Sequence, residues 1–228
     1  MSTITTAENG SGHRQRLRQR FMRAPTAIED YELLEMLLFY GVPRKDTKPL
    51  AKALLKRFGS LKAALEAPAE ALREVDGFGD SLNTFWHLLR EVRARLARQE
   101  ARGLDLLAHP AAVARMARER LAGCRHEECW LALVNAQNTL QEWLPVQRGS
   151  VHEVHVDPGE ILRPALAMKA SGIILVHNHP GGTAVPSKAD TALTDELRLL
   201  APKLGLRFLD HVIVSDGECF SMGMNRTV

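Results

Sequence analysis

The chain has no apolar run approaching the roughly 20 residues that a membrane-spanning helix needs. Residues 1–8 lack the apolar core of a secretory signal. The expectation is therefore a cytoplasmic protein with no membrane partner. Cysteine is scarce: Cys124, Cys129 and Cys219 are the three present, an odd number with no Cys-x-x-Cys pair. That excludes a disulfide framework and leaves no second pair to complete a thiolate metal site, and it fits buried thiols in a reducing compartment. Internal repeats and low-complexity tracts are also absent. Neither sign of charge dominates, with 30 Lys and Arg against 27 Asp and Glu and a net charge of +3.

What remains is a globular composition. A chain of 228 residues, 45% of them hydrophobic, suits one large domain or two small ones with a real core. The charge is uneven along it. Residues 1–102 carry 18 Lys and Arg against 13 Asp and Glu, and the remainder carries 12 against 14. The basic excess is sharpest at Arg14, Arg16, Arg18, Arg20 and Arg23, opposed only by Glu8. Such a cluster is either a phosphate-binding surface or a merely solvated terminus.

Hydrophobic periodicity changes midway. Residues 1–12, rich in Ser, Thr and Gly, read as a disordered tail. Residues 13–102 read as helical throughout, in segments 30–39, 49–58 (capped by Thr47), 60–67, 68–75 and 82–98. Before the last of these, Val75-Asp76-Gly77-Phe78-Gly79-Asp80-Ser81 has the layout of a helix-hairpin-helix. Its glycines permit positive φ, and the following helix N-terminus favours an anion. A plain turn between helices is the competing reading, and Asp76 and Asp80 count against phosphate contact. Arg93, Arg95, Arg98 and Arg102 read as an exposed helix end entering a linker. From 105 to 228 the pattern is mixed: helix 111–121, strands 129–134, 141–147 and 151–156, helix 158–169, then a strand, helix 188–200, and strands 207–214 and 219–221. The expected class is α+β in two domains, all-α over 13–102 and α/β over 105–228.

The chemistry concentrates where the run Ile173-Ile174-Leu175-Val176 ends in His177-Asn178-His179-Pro180. Side chains alternate along a strand, so His177 and His179 leave the same face. A glycine loop follows, then Ser187, which has N-cap chemistry, and Asp190 in the first helical turn. Each piece has an ordinary explanation: a His pair at a strand end is commonly a hydrogen-bonded surface feature, and Ser-x-x-Asp is common capping chemistry. Together, two imidazoles and a carboxylate make the ligand set of a catalytic zinc. The literal string His-Asn-His is weak evidence for an HNH nuclease, whose residues are dispersed over a longer motif.

His-x-His-Pro followed by Ser187-Lys188-Ala189-Asp190 resembles the JAMM (MPN) metalloprotease signature. The longer text from Val176 to Asp190, with Leu209-Asp210-His211-Val212-Ile213-Val214, resembles the RadC family of bacterial DNA repair proteins, over about residues 12–225. The resemblance implies a C-terminal JAMM domain of cytidine-deaminase-like fold, with Zn²⁺ bound by His177, His179 and Asp190. It implies that Ser187 supports the oxyanion or the reacting water, and that the helical region contacts DNA. One departure is Gly181, where the family usually has Ser. A zinc hydrolase also needs a base, and the resemblance places a Glu ahead of an earlier strand. Glu127 fits that position. Glu128 is one residue out of register, and Glu142, Glu153 and Glu160 are weaker candidates. Three functions follow: a zinc hydrolase acting on a protein or peptide, a DNA-associated scaffold, and a metal-dependent nuclease.

Overall fold

Each helix read from periodicity forms, and another precedes them. The computed structural model describes residues 5–43, 45–148, 156–215 and 218–228. The chain divides into two compact units, Met1–Leu89 and Arg90–Val228.

The first unit holds α1 (Thr5–Arg23), a 3₁₀ turn (Pro25–Ala27), α2 (Asp30–Gly41), α3 (Lys48–Phe58), α4 (Leu61–Glu66), α5 (Ala69–Arg73) and the start of α6 (Asp80–Ala101). Leu34, Leu38, Leu54, Leu72, Leu82 and Trp86 are almost fully buried in one core. The Trp86 indole, too polar at one edge to be buried unpaired, donates to the Ala64 carbonyl at 3.1 Å. Three expectations change here. α1 begins at Thr5, inside the stretch read as disordered. Its arginine-rich half docks Leu17 among Met36 and Phe39, and a nucleated helix extends through weak formers at little further cost. Thr47 does not cap α3. Its backbone is helical rather than extended as a capping residue requires, and its hydroxyl donates to the Glu35 carbonyl at 3.2 Å. The five arginines are also less free than charge counting implies. Arg14 donates to the carbonyls of Val42 and Lys45 and lies over the Phe39 ring. Arg18 sits over Phe39 and Tyr40, and Arg20 forms a two-pronged pair with Glu32 at 2.8 and 3.2 Å.

The second unit begins within α6, ahead of the linker expected after Arg102. Ala97 and Ala101, on the far end of that helix, are buried in the same core as α7 (Pro110–Leu121). Arg93 pairs with Glu119 at 2.9 Å and Arg120 with Glu91 at 2.7 Å, so this helix end is fastened rather than solvated. The remaining elements are β1 (Glu128–Val134), β2 (Leu140–Arg148), α8 (Pro158–Ala167), β3 (Gly172–Asn178), α9 (Lys188–Lys203), β4 (Arg207–Ser215), β5 (Glu218–Ser221) and a two-residue β6 (Arg226–Thr227) that periodicity did not indicate. Of the strand expected at 151–156, residues 151–155 lie outside the described residues and Val156 is in no strand. The sheet order is β2-β1-β3-β4-β5-β6. β3 and β4 are parallel, as the crossover through α9 requires, and the other pairs are antiparallel. One face, with Trp130, Val134, Val176 and Val212, is covered by α7. The other, with Leu131, Leu133, Ile173 and Leu175, packs on α8 and α9. A helical N-terminal part followed by a mixed sheet with helices is the α+β class expected. Among the described residues no helix is long and apolar enough to cross a membrane.

Candidate metal centre

β3 is apolar and buried for five residues before His177. Strand alternation puts His177 on the same face as Ile173 and Leu175, toward α8 and α9, and sends Asn178 to the opposite face. β1 runs antiparallel to β3, with Cys129 opposite His177. The start of β1 therefore lies beside the end of β3. Glu127 shares the parity of Cys129 and lines the pocket around His177 and His179. Glu128 borders the same pocket, but its carboxylate is engaged by the Trp130 indole N–H at 2.9 Å.

Asn178, between the two histidines, is 3% exposed. Its Oδ1 accepts from the Glu128 amide at 2.8 Å and its Nδ2 donates to the His126 carbonyl at 3.0 Å. The peptide groups on both sides of Glu127 are thereby pinned to β3. Glu142 instead sits on the edge strand β2 opposite Leu133. Glu160 lies in the first turn of α8, 3.7 Å from Arg163. Glu153 lies outside the described residues.

α9 brings the third group. Ser187 and Asp190 form a capping box: Ser187 Oγ accepts from the Asp190 amide at 3.1 Å, and Asp190 Oδ2 accepts from the Ser187 amide at 2.7 Å. The cap fixes the Asp190 carboxylate where Oδ1 is 3.1 Å from His177 Nε2 and Oδ2 is 3.2 Å from His179 Nε2. The two Nε2 atoms are 2.8 Å apart. The loop between strand and helix contains Gly181 at φ 68°, a left-handed backbone that a serine adopts only with strain. That accounts locally for the glycine at this position.

The site's donor chemistry fits a cation. The His179 Nδ1 faces the Thr183 carbonyl at 3.0 Å. A carbonyl only accepts, so the ring proton belongs on Nδ1 and Nε2 is left as a lone pair. His179 Nε2, His177 Nε2 and the Asp190 oxygens then converge with one positive charge needed among them. Two imidazole nitrogens and a carboxylate suit zinc. The electrostatics agree. A proton on an Nε2 supplies that charge in place of a metal: burial pushes the Asp190 carboxyl upward, but hydrogen bonds with His177, His179 and Ser187 outweigh it and hold the group far below the usual carboxylate range. His179 is raised, chiefly by its hydrogen bond to Asp190 and against the opposing effect of burial. Burial, reinforced by the charge of Asp190, pushes the Cys129 thiol up to about 12, so it stays neutral and is no competing thiolate.

One participant was not assigned from the sequence. His211 on β4 is 1% exposed and its Nε2 lies 2.8 Å from His177 Nδ1. Burial holds it uncharged, well below the usual histidine range. The Asp210-His211 pair was visible as text, but only the parallel pairing of β3 with β4 brings it to the site. His177, Asp190 and His211 offer ligand atoms within 4.8 Å of one another. The surrounding pocket has a volume of about 310 Å³, at the lower end of the small-ligand range. Residues 107–227, which contain every side chain of this site, match the family model of the RadC-like JAB domain.

Proposed function

Because the chain belongs to the RadC family, through a RadC-like JAB domain over residues 107–227, we propose that it is a zinc-dependent hydrolase of the metallopeptidase type. The observation that carries this reading is the convergence of two Nε2 atoms and the Asp190 carboxylate at 2.8–3.2 Å. A bound Zn²⁺ supplies Lewis acidity there, polarising a carbonyl and making water nucleophilic near neutral pH. His177, His179 and Asp190 hold the ion, and the carboxylate offsets part of its charge. Glu127, pinned from both sides by Asn178, accepts the proton of the attacking water and returns it to the leaving amine. The Ser187 hydroxyl accepts from the Asp190 amide, which leaves its own hydrogen free to donate to the developing oxyanion. The substrate class this reading implies is a protein or peptide.

Elemental analysis tests the metal assignment directly. We expect one zinc per wild-type chain, and none after His177→Ala or Asp190→Asn, with helical content retained. Wild-type protein that retains no zinc after loading and dialysis sinks the reading. Chelator-sensitive cleavage of a peptide pool supports it. Chelator-sensitive cleavage of DNA with peptides untouched makes the site a nuclease, and a zinc-loaded protein inert to both is the scaffold alternative.

A role beside DNA, as in repair or recombination, rests on the turn between α5 and α6. There Gly77 holds φ 87° ahead of the amide end of α6, with Phe78 buried as its anchor. Asp76 and Asp80 flank the turn, and Arg73 approaches Asp80 at 3.5 Å. Binding through phosphates makes affinity fall steeply with salt. Equal binding by a chain lacking residues 1–89 excludes this route. The three cysteines, two of them buried, fit a reducing cytoplasm.

A further inference from the structure

Behind His177 stands a second row of polar contacts with a direction of its own. His177 Nδ1 meets His211 Nε2 at 2.8 Å. His211 Nδ1 meets Thr194 Oγ1, on α9, at 2.7 Å. Thr194 Oγ1 in turn lies 3.4 Å from the Met222 sulfur, toward which its hydroxyl donates. Thr194 and His211 are each 1% exposed, so solvent offers them no alternative partners.

Counting hydrogens ties every contact of the row to one of two directions. A thioether only accepts and a threonine hydroxyl has one hydrogen. With that hydrogen on Met222, Thr194 must accept from His211 Nδ1. Neutral His211 then has its lone pair on Nε2 and accepts from His177 Nδ1. His177 is left with Nδ1 protonated and Nε2 free. The reverse direction starts with Thr194 donating to His211. It ends with a proton on His177 Nε2, where no metal can bind.

We propose that His211, held by Thr194, is a positioning residue that fixes the metal-binding tautomer of His177 and is not itself a ligand. This rests on the zinc reading above. It also separates the roles of the two histidines. His179 is set by a local carbonyl, Thr183, which cannot donate. His177 is set by side chains from β4 and α9. The proximity of His211 to Asp190 does not make it a ligand, because its Nε2 is taken up by His177 Nδ1 at 2.8 Å and its Nδ1 by Thr194. An outer partner that fixes ring orientation and tautomer commonly contributes about 10–100-fold to metal affinity.

The test uses metal ions alone. Zinc affinity is measured by competition with a chromophoric chelator for wild type, His211→Phe, Thr194→Val and Thr194→Ser, with His177→Ala as the reference for a lost ligand. Cobalt absorption spectra report the ligand set, and ¹⁵N NMR of zinc-loaded protein reports which ring nitrogens carry protons. We expect His211→Phe and Thr194→Val to bind zinc roughly 10–100-fold more weakly. Thr194→Ser should restore affinity, and the cobalt spectra of the weakened variants should keep the wild-type ligand set. Zinc-loaded wild type should show His211 protonated at Nδ1. Should His211→Phe fail to fold, Thr194→Val and the NMR assignment decide the matter by themselves. Unchanged affinity in Thr194→Val overturns the proposal while leaving the zinc site standing, as does a proton on His211 Nε2. A cobalt spectrum missing a nitrogen in folded His211→Phe makes His211 a ligand and also overturns it. A wild type that binds no zinc removes the zinc site and this proposal together.

Discussion

At the scale of the residue, the two adjacent glutamates are separated by strand parity and by a tryptophan. Glu127 lies on the face of Cys129 and His177, whereas the Glu128 carboxylate is held by the Trp130 indole. Once a chelator-sensitive activity is in hand, Glu127→Gln should lower it by roughly 10²–10⁴-fold, the usual range for an acid–base catalyst. Zinc content should stay at the wild-type level. Glu128→Gln should keep most of the activity, since an amide oxygen still accepts from the indole. The opposite result means that the register runs one residue the other way. Asn178→Leu should lower activity without releasing zinc, because it frees the peptides around Glu127 and leaves the three ligands in place. Hydrogen exchange at the Glu128 amide, expected to accelerate in that variant, checks the cause independently. His177, His179 and Asp190 were legible in the sequence because a strand, a loop and a helix turn bring them together within a short stretch of chain. Asn178 was legible only as a letter between two histidines. Its partners, Glu128 at the start of β1 and His126 just before it, lie about 50 residues earlier, and no local pattern encodes that pairing.

At the scale of the element, α9 shows one cap serving two ends. Asp190 closes the capping box with Ser187 and also faces both histidines. Ser187→Ala should therefore cost about 1 kcal/mol of stability, the usual cost of losing an N-cap acceptor, read as a lower urea midpoint for metal-free protein. It should also slow turnover while zinc remains bound. The docking of α1 on α2 carries a pH signature. The Glu32 carboxyl lies below its ordinary value of 4.5, held there first by its hydrogen bond with Arg20. A depressed carboxyl adds stability above the ordinary value and loses it as pH falls through the lower folded one. The urea midpoint of wild type should thus exceed that of Glu32→Gln at about pH 6, with the gap closing as pH falls below that ordinary value. A gap independent of pH means that the pair contributes nothing through charge. These contacts also explain why the arginines misled. Counting charge finds Arg14, Arg18 and Arg20 but not the carbonyls, rings and carboxylate that occupy them. The helices themselves were legible, since apolar spacing reports burial directly.

At the scale of the whole chain, the unit boundary falls inside a helix rather than in a loop. Composition pointed to the stretch after Arg102, where helical spacing stops. Packing decides otherwise, because Ala97 and Ala101 belong to the core under α7. A chain of residues 90–228 should then bind zinc as the full chain does. A chain of residues 105–228 should be less stable by roughly 2 kcal/mol, from two lost buried methyls at about 0.8 kcal/mol each and the small contributions of the Arg93–Glu119 and Arg120–Glu91 pairs. Thermal melts of the two fragments check this, and equal melting temperatures place the boundary after Arg102.

The antiparallel ladder between β1 and β3 has a consequence for the order in which the site comes into being. The three candidate ligands come from one continuous stretch of chain, whereas Glu127 arrives only when β1 has zipped onto β3, with β2 and α8 between them in the chain. Capturing the ion and becoming competent are therefore separable events during maturation. On the metallopeptidase reading proposed above, a nascent or partly opened chain has the ligands of its local motif together with no base in reach. On the same reading, cleavage of neighbouring proteins is withheld until the sheet has closed.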